Sequence, residues 1–91
     1  MKRVGSQNIS VRQSRKEKID KLFYNIEGVK KADDFKFKEA VEYFTKAIEL
    51  DPEDSLSYFN RATVEMDIGD LKGARSDFRL SKSFQLRVHT L

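Results

Sequence analysis

The stretch FKEAVEYFTKAIELDP, residues 37–52, decides the fold class. Phe37, Ala40, Val41, Phe44, Ala47 and Ile48 recur at spacings of three or four, which places them on one face of a helix. Asp51-Pro52 then marks a boundary. The proline ring closes off the preceding helix, and its fixed φ suits the first turn of the next, with Asp51 as the expected cap.

Working outward, a shift of 34 positions aligns Leu22 with Leu56, Tyr24 with Tyr58, Lys38 with Lys72, Ala40 with Ala74 and Phe44 with Phe78. Gly28/Ala62, Phe37/Leu71, Ala47/Ser81 and Leu50/Phe84 are similar pairs. The series 37, 40, 44, 47 and its counterpart 71, 74, 78, 81 both follow helical spacing, so a duplicated helical hairpin explains the pattern. Ser14 with Glu17 has the form of a capping box that starts a first helix over about 15–33, along which Ile19, Leu22, Phe23, Ile26 and Val29 form an apolar stripe. A third helix carries Leu56, Phe59, Ala62, Val64 and Met66 and stops at Gly69, which tolerates a left-handed helix end. Asp70 is the expected cap of a fourth helix holding Leu71, Ala74, Phe78 and Phe84, with no proline or glycine beyond its first turn to stop it before Leu91. Connections this short make successive helices antiparallel neighbours. Ala40 and Ala74, small residues among large ones at one repeat position, are expected at helix–helix contacts. No strand-like alternation of useful length appears.

A hydrophobic share of 38% beside a charged share of 36% suits helices with one buried and one solvated face. The chain has no cysteine, which excludes disulfides, thiolate catalysis and cysteine–zinc sites and fits the cytoplasm, where we expect it. No apolar run reaches the roughly 20 residues of a membrane span. Seven of the 18 basic residues fall within positions 1–21 against two acids there, so a basic leader precedes a mildly acidic body. Residues 1–13 offer little apolar surface and are expected to be a flexible basic leader, with 14–91 as the domain. The leader is acid-poor, but Val4, Ile9 and Val11 make no amphipathic face of the presequence type. Its charge supports an alternative role in nucleic-acid association through residues 2–21; no aromatic residues are interleaved there to stack on bases.

Nothing points to catalysis. His89 is the only histidine, the four glycines form no phosphate loop, and Asp33-Asp34 and Glu53-Asp54 sit at predicted helix ends without a metal-loop spacing. No catalytic residue, cofactor or metal is expected.

Over about residues 21–86 the chain resembles the tetratricopeptide repeat family. The resemblance rests on Tyr24, Gly28, Ala40-Val41-Glu42-Tyr43-Phe44 and Pro52, then Tyr58, Ala62 and Ala74-Arg75-Ser76-Asp77-Phe78, with Lys46–Pro52 as a typical repeat junction. It implies an all-α fold of two tandem antiparallel hairpins, repeats of about 21–54 and 55–86, forming a fragment of a right-handed solenoid with an extended last helix. Departures are Lys31 and Glu65 at usual aromatic positions, Glu27 and Arg61 at frequent leucine positions, and Phe35 in place of the turn glycine. No proline follows Phe84, so the array is expected to end there.

The resemblance further implies a non-enzymatic adaptor that binds a protein or peptide in a concave groove lined by the first helix of each hairpin. Matched positions are Leu22, Asn25, Val29, Leu56, Phe59, Asn60, Thr63 and Met66, while Ile26 is assigned to the core. The chaperone-tail carboxylate clamp of one family subclass is not expected: Asn60 matches it, but Asn25 and Val29 replace its first-repeat residues. Because two hairpins bury only part of their apolar surface, Phe84, Val88 and Leu91 along the last helix are expected to pair with another chain, a homodimer being the simplest case.

Overall fold

Ser14 and Glu17 cap each other's backbone: the Ser14 hydroxyl accepts from Glu17 N–H and the Glu17 carboxylate from Ser14 N–H, both at 3.1 Å. This reciprocal pairing satisfies two donors that a helix start otherwise leaves open. The computed structural model describes residues 13–89, with side chains through residue 86. It contains four helices, α1 (Arg15–Asp33), α2 (Phe37–Leu50), α3 (Ser55–Ile68) and α4 (Leu71–His89). Consecutive helices pack as antiparallel pairs, and α1 also touches α3. The chain is thus two tandem helical hairpins, all-α among the described residues. The expected leader lies outside the described residues except for Gln13, whose side-chain amide donates to the Leu50 carbonyl at the end of α2.

The turns follow local chemistry, with one correction. Asp51 does not cap α3, and Pro52 does not open it. Pro52 sits in a turn, where Asp51 Oδ1 accepts from Glu53 N–H at 3.2 Å, and α3 starts at Ser55 with Asp54 as its cap, accepting from Ser57 N–H at 3.1 Å. Asp51 and Asp54 both face Lys21 of α1, at 2.8 and 3.4 Å, and the Tyr58 hydroxyl donates to the Pro52 carbonyl at 2.8 Å. Asp70 caps α4 as expected, accepting from Gly73 N–H at 3.0 Å.

The two hairpin turns occupy matching positions. Gly69 ends α3 with φ +95°, and Phe35, 34 residues earlier, follows α1 with φ 60°. Glycine takes this left-handed conformation freely, whereas a side chain strains there. The turn is held by bonds from Phe35 N–H to Ala32 O at 3.0 Å and from Lys36 N–H to Lys31 O at 2.8 Å. The Phe35 ring itself is exposed, edge-on to Phe37.

The core is small and runs through Ala40, Phe44, Ala47, Ala62, Val64 and Ala74, all nearly inaccessible. Ala40 and Ala74 are buried as their repeat position predicts. Gly28 is where the first hairpin closes most tightly: a Cβ there would lie 2.4 Å from the Phe44 ring. That contact sets the rotation of α1. Its inward residues are Asn25 and Gly28, and its apolar stripe faces outward, with Ile19 59%, Leu22 58%, Phe23 52%, Ile26 49% and Val29 43% exposed. Ile26 therefore does not belong to the core. The position permitting the closest backbone approach, rather than the most apolar stripe, chose the packing face. Leu71 departs in the same way and is exposed at the start of α4.

Candidate functional site

Turning α1 outward leaves an apolar groove between α1 and α3. It encloses about 370 Å³ and is lined by Leu22, Asn25, Ile26, Val29, Lys30, Leu56 and Asn60. Five of the eight residues expected from sequence therefore meet there: Leu22, Asn25, Val29, Leu56 and Asn60. Ile26 and Lys30 join them.

The floor is a polar ladder. Asn25 is 5% exposed, and its side-chain N–H donates to Ser57 Oγ at 2.9 Å and to the Lys21 carbonyl at 3.2 Å, while Asn60 donates to Asn25 Oδ1 at 3.0 Å. Asn25 is thus committed to holding α1 against α3, and it contributes to the groove as its base. Ser57 also bonds to Asp54, which couples the ladder to the α3 cap.

Phe59, Thr63 and Met66 lie on α3 but do not line this groove. Phe59 is half exposed, with its ring edge-on to Phe78 at 5.6 Å. Thr63 Oγ1 donates back to the Phe59 carbonyl at 2.9 Å, and the Met66 side chain is exposed. On α4, Phe84 stacks on Tyr58 of its own hairpin at 5.7 Å. The other two residues of the expected self-association face, Val88 and Leu91, lie outside the described side chains.

Sequence reasoning missed the polar cluster that joins the hairpins. Arg61 grips Asp77 with two hydrogen bonds, 2.7 and 3.0 Å, and also donates to Thr45 Oγ1 of α2 at 3.1 Å. Asp77 is 4% exposed. Glu65 stands 3.8 Å from the same guanidinium, and its Oε1 is buried without a hydrogen-bond partner. Arg61 and Glu65, two departures from the family pattern, therefore serve one ion cluster. Their i, i+4 spacing and opposite charge were a visible signal, but Asp77 is 16 residues away and gave none.

One cation beside two carboxylates leaves an excess negative charge in a poorly hydrated place. Burial first, then the neighbouring Asp77, pushes the Glu65 carboxyl up to about 7, while Arg61 opposes the rise. The folded chain then holds a proton that the unfolded chain releases at lower pH. This stabilisation is present below the unfolded value near 4.5 and is lost as pH rises through about 7. Glu65→Gln should flatten the decline and raise stability at pH 8 by about 1–2 kcal/mol. Urea midpoints from pH 5 to 8 would show it, and an unchanged slope in the variant would assign the dependence elsewhere.

The basic positions considered for nucleic acid lie partly outside the described residues. Of those described, Lys16 pairs with Asp20 at 2.7 Å and Lys21 with Asp51 and Asp54. Among the described residues no cluster of three His, Cys, Asp or Glu side chains could hold a metal ion, and no helix is long and apolar enough to cross a membrane.

A family model described as Tetratricopeptide repeat matches residues 43–76, from the second half of α2 through α3 into α4. Comparison with curated proteins and with solved structures yields no match. Tetratricopeptide repeats generally mediate protein–protein interactions. Two helical hairpins in a 34-residue register, with the matched segment spanning their junction, support a tetratricopeptide repeat assignment.

Proposed function

We propose that the protein is a non-enzymatic adaptor, acting in the cytoplasm, that holds a partner segment in the groove between α1 and α3. One observation carries this reading: Leu22, Ile26, Val29 and Leu56, between 43% and 58% exposed, converge on one groove over a fixed asparagine ladder. Contiguous apolar surface of this kind marks partner sites. The occupant is an apolar-faced helix or extended segment, recognised by side chains seated between the two helices.

Peptides selected from a displayed random library against the native chain test it. We expect enriched sequences to carry two or more apolar residues at regular spacing. They should bind a Leu22→Glu/Leu56→Glu variant about thirtyfold more weakly or worse, as for central interface residues. Both side chains are exposed, so the variant should keep its helicity. Peptides that bind native and variant chains equally would remove the groove from the function.

A further inference from the structure

The internal repeat allows the interface between the two hairpins to be projected onto the faces that no hairpin covers. A contact between residue i of the first hairpin and residue j of the second becomes, after one 34-residue step, a contact between i + 34 and residue j − 34 of a following hairpin. Three cross-hairpin contacts anchor the first interface: Asn25–Ser57, Asn25–Asn60 and Thr45–Arg61. If the following hairpin is the first hairpin of another copy, these project onto Phe59 against Phe23, Phe59 against Ile26, and Arg79 against Glu27.

Each projected pair is chemically matched. Two hydrogen-bonded polar pairs become an aromatic pair and an aromatic–aliphatic pair, and the arginine–hydroxyl pair becomes an arginine–carboxylate pair. The side chains are available, since Phe59 is 51%, Phe23 52% and Ile26 49% exposed. Phe59 is also braced edge-on by Phe78, the counterpart of the buried Phe44. Lys30 of the following copy would take the place of Val64, with its stem across Phe78. From these matches we infer that copies of this chain stack head to tail, the α1 face of one copy on the α3–α4 face of the next, continuing the solenoid register.

This stack is heterologous, so it does not close at two copies. It also extends the groove, because Leu56, Asn60 and Thr63 of one copy would face Leu22 and Ile26 of the next. The inference goes beyond the groove reading and does not depend on it, since neither Phe23 nor Phe59 lines the groove of the single chain.

Sedimentation of the full chain across rising concentrations tests it with two blocked variants, Phe23→Asp and Phe59→Asp. We expect the native chain to form a ladder of sizes, and each variant alone to associate about thirtyfold more weakly or worse. An equimolar mixture of the two should form a one-to-one dimer, because it restores one intact head and one intact tail. Glu27→Arg and Arg79→Glu should each weaken stacking, and the double variant should recover it. Both phenylalanines are half exposed, so helical circular dichroism should confirm that the variants fold. A native chain that stays monomeric would overturn the inference. So would a mixture that forms no dimer, or a native dimer that grows no further, which would indicate twofold pairing.

Discussion

Replacing Arg61 by leucine is expected to destabilise the protein by about 3–5 kcal/mol at neutral pH, although leucine is a frequent family residue at this position. The substitution would leave Asp77, 4% exposed, without its two-pronged partner and Glu65 without its nearest cation. It would also remove the bond to Thr45 that ties α3 to α2. A domain of this size has only about 4–11 kcal/mol in total, so much of the population should unfold. The loss should shrink at pH 5, where the two abandoned carboxyls can take up protons. Adding Asp77→Asn to Arg61→Leu should restore part of the stability at pH 7.5. Urea midpoints at both pH values measure this, and a midpoint unmoved by Arg61→Leu would show that the ion cluster does not support the fold.

The second large effect centres on Phe44, the bulkiest side chain with almost no exposure, packed with Ala40 and Val64. Phe44→Ala should remove about 3–5 kcal/mol through lost burial and the cavity left behind. The paired residue is Gly28, where a Cβ would stand 2.4 Å from the Phe44 ring. In the native background Gly28→Ala should be destabilising, because overpacking of about 1–3 kcal/mol outweighs a helix-propensity gain of about 1 kcal/mol. In the Phe44→Ala background the obstruction is gone, and Gly28→Ala should instead stabilise by about 1 kcal/mol. That reversal of sign in a double-mutant cycle is the decisive measurement. Additive effects would mean that the two residues do not touch, and that another contact sets the rotation of α1.

This rotation separates what could be read from the sequence from what could not. Helix starts and stops were legible because their causes lie within a few residues: Ser14 with Glu17, Asp70 before Gly73, and Gly69 in the left-handed region. The 34-residue repeat was legible too, and it placed Ala40 and Ala74 at the helix contacts where they are found. The Asp51-Pro52 boundary was found, but the cap fell on Asp54, since Asp51 bonds instead to Glu53 within the turn and to Lys21.

Which face of α1 is covered was decided only by the tertiary structure. Periodicity identifies an apolar stripe, but burial depends on which neighbours reach it, and among the described residues α1 meets the helices α2 and α3 alone. Both approach where Gly28 and Asn25 let them close, so Leu22, Ile26 and Val29 became groove instead of core. The same holds for Arg61, Glu65 and Asp77. Arg61 and Glu65 stand out in the sequence by spacing and charge, but Asp77 does not, and only the crossing of α3 with α4 makes the three a partly buried ion cluster. Local backbone chemistry, acting over three or four residues, set the helices; long-range contact between them chose which side chains are left exposed.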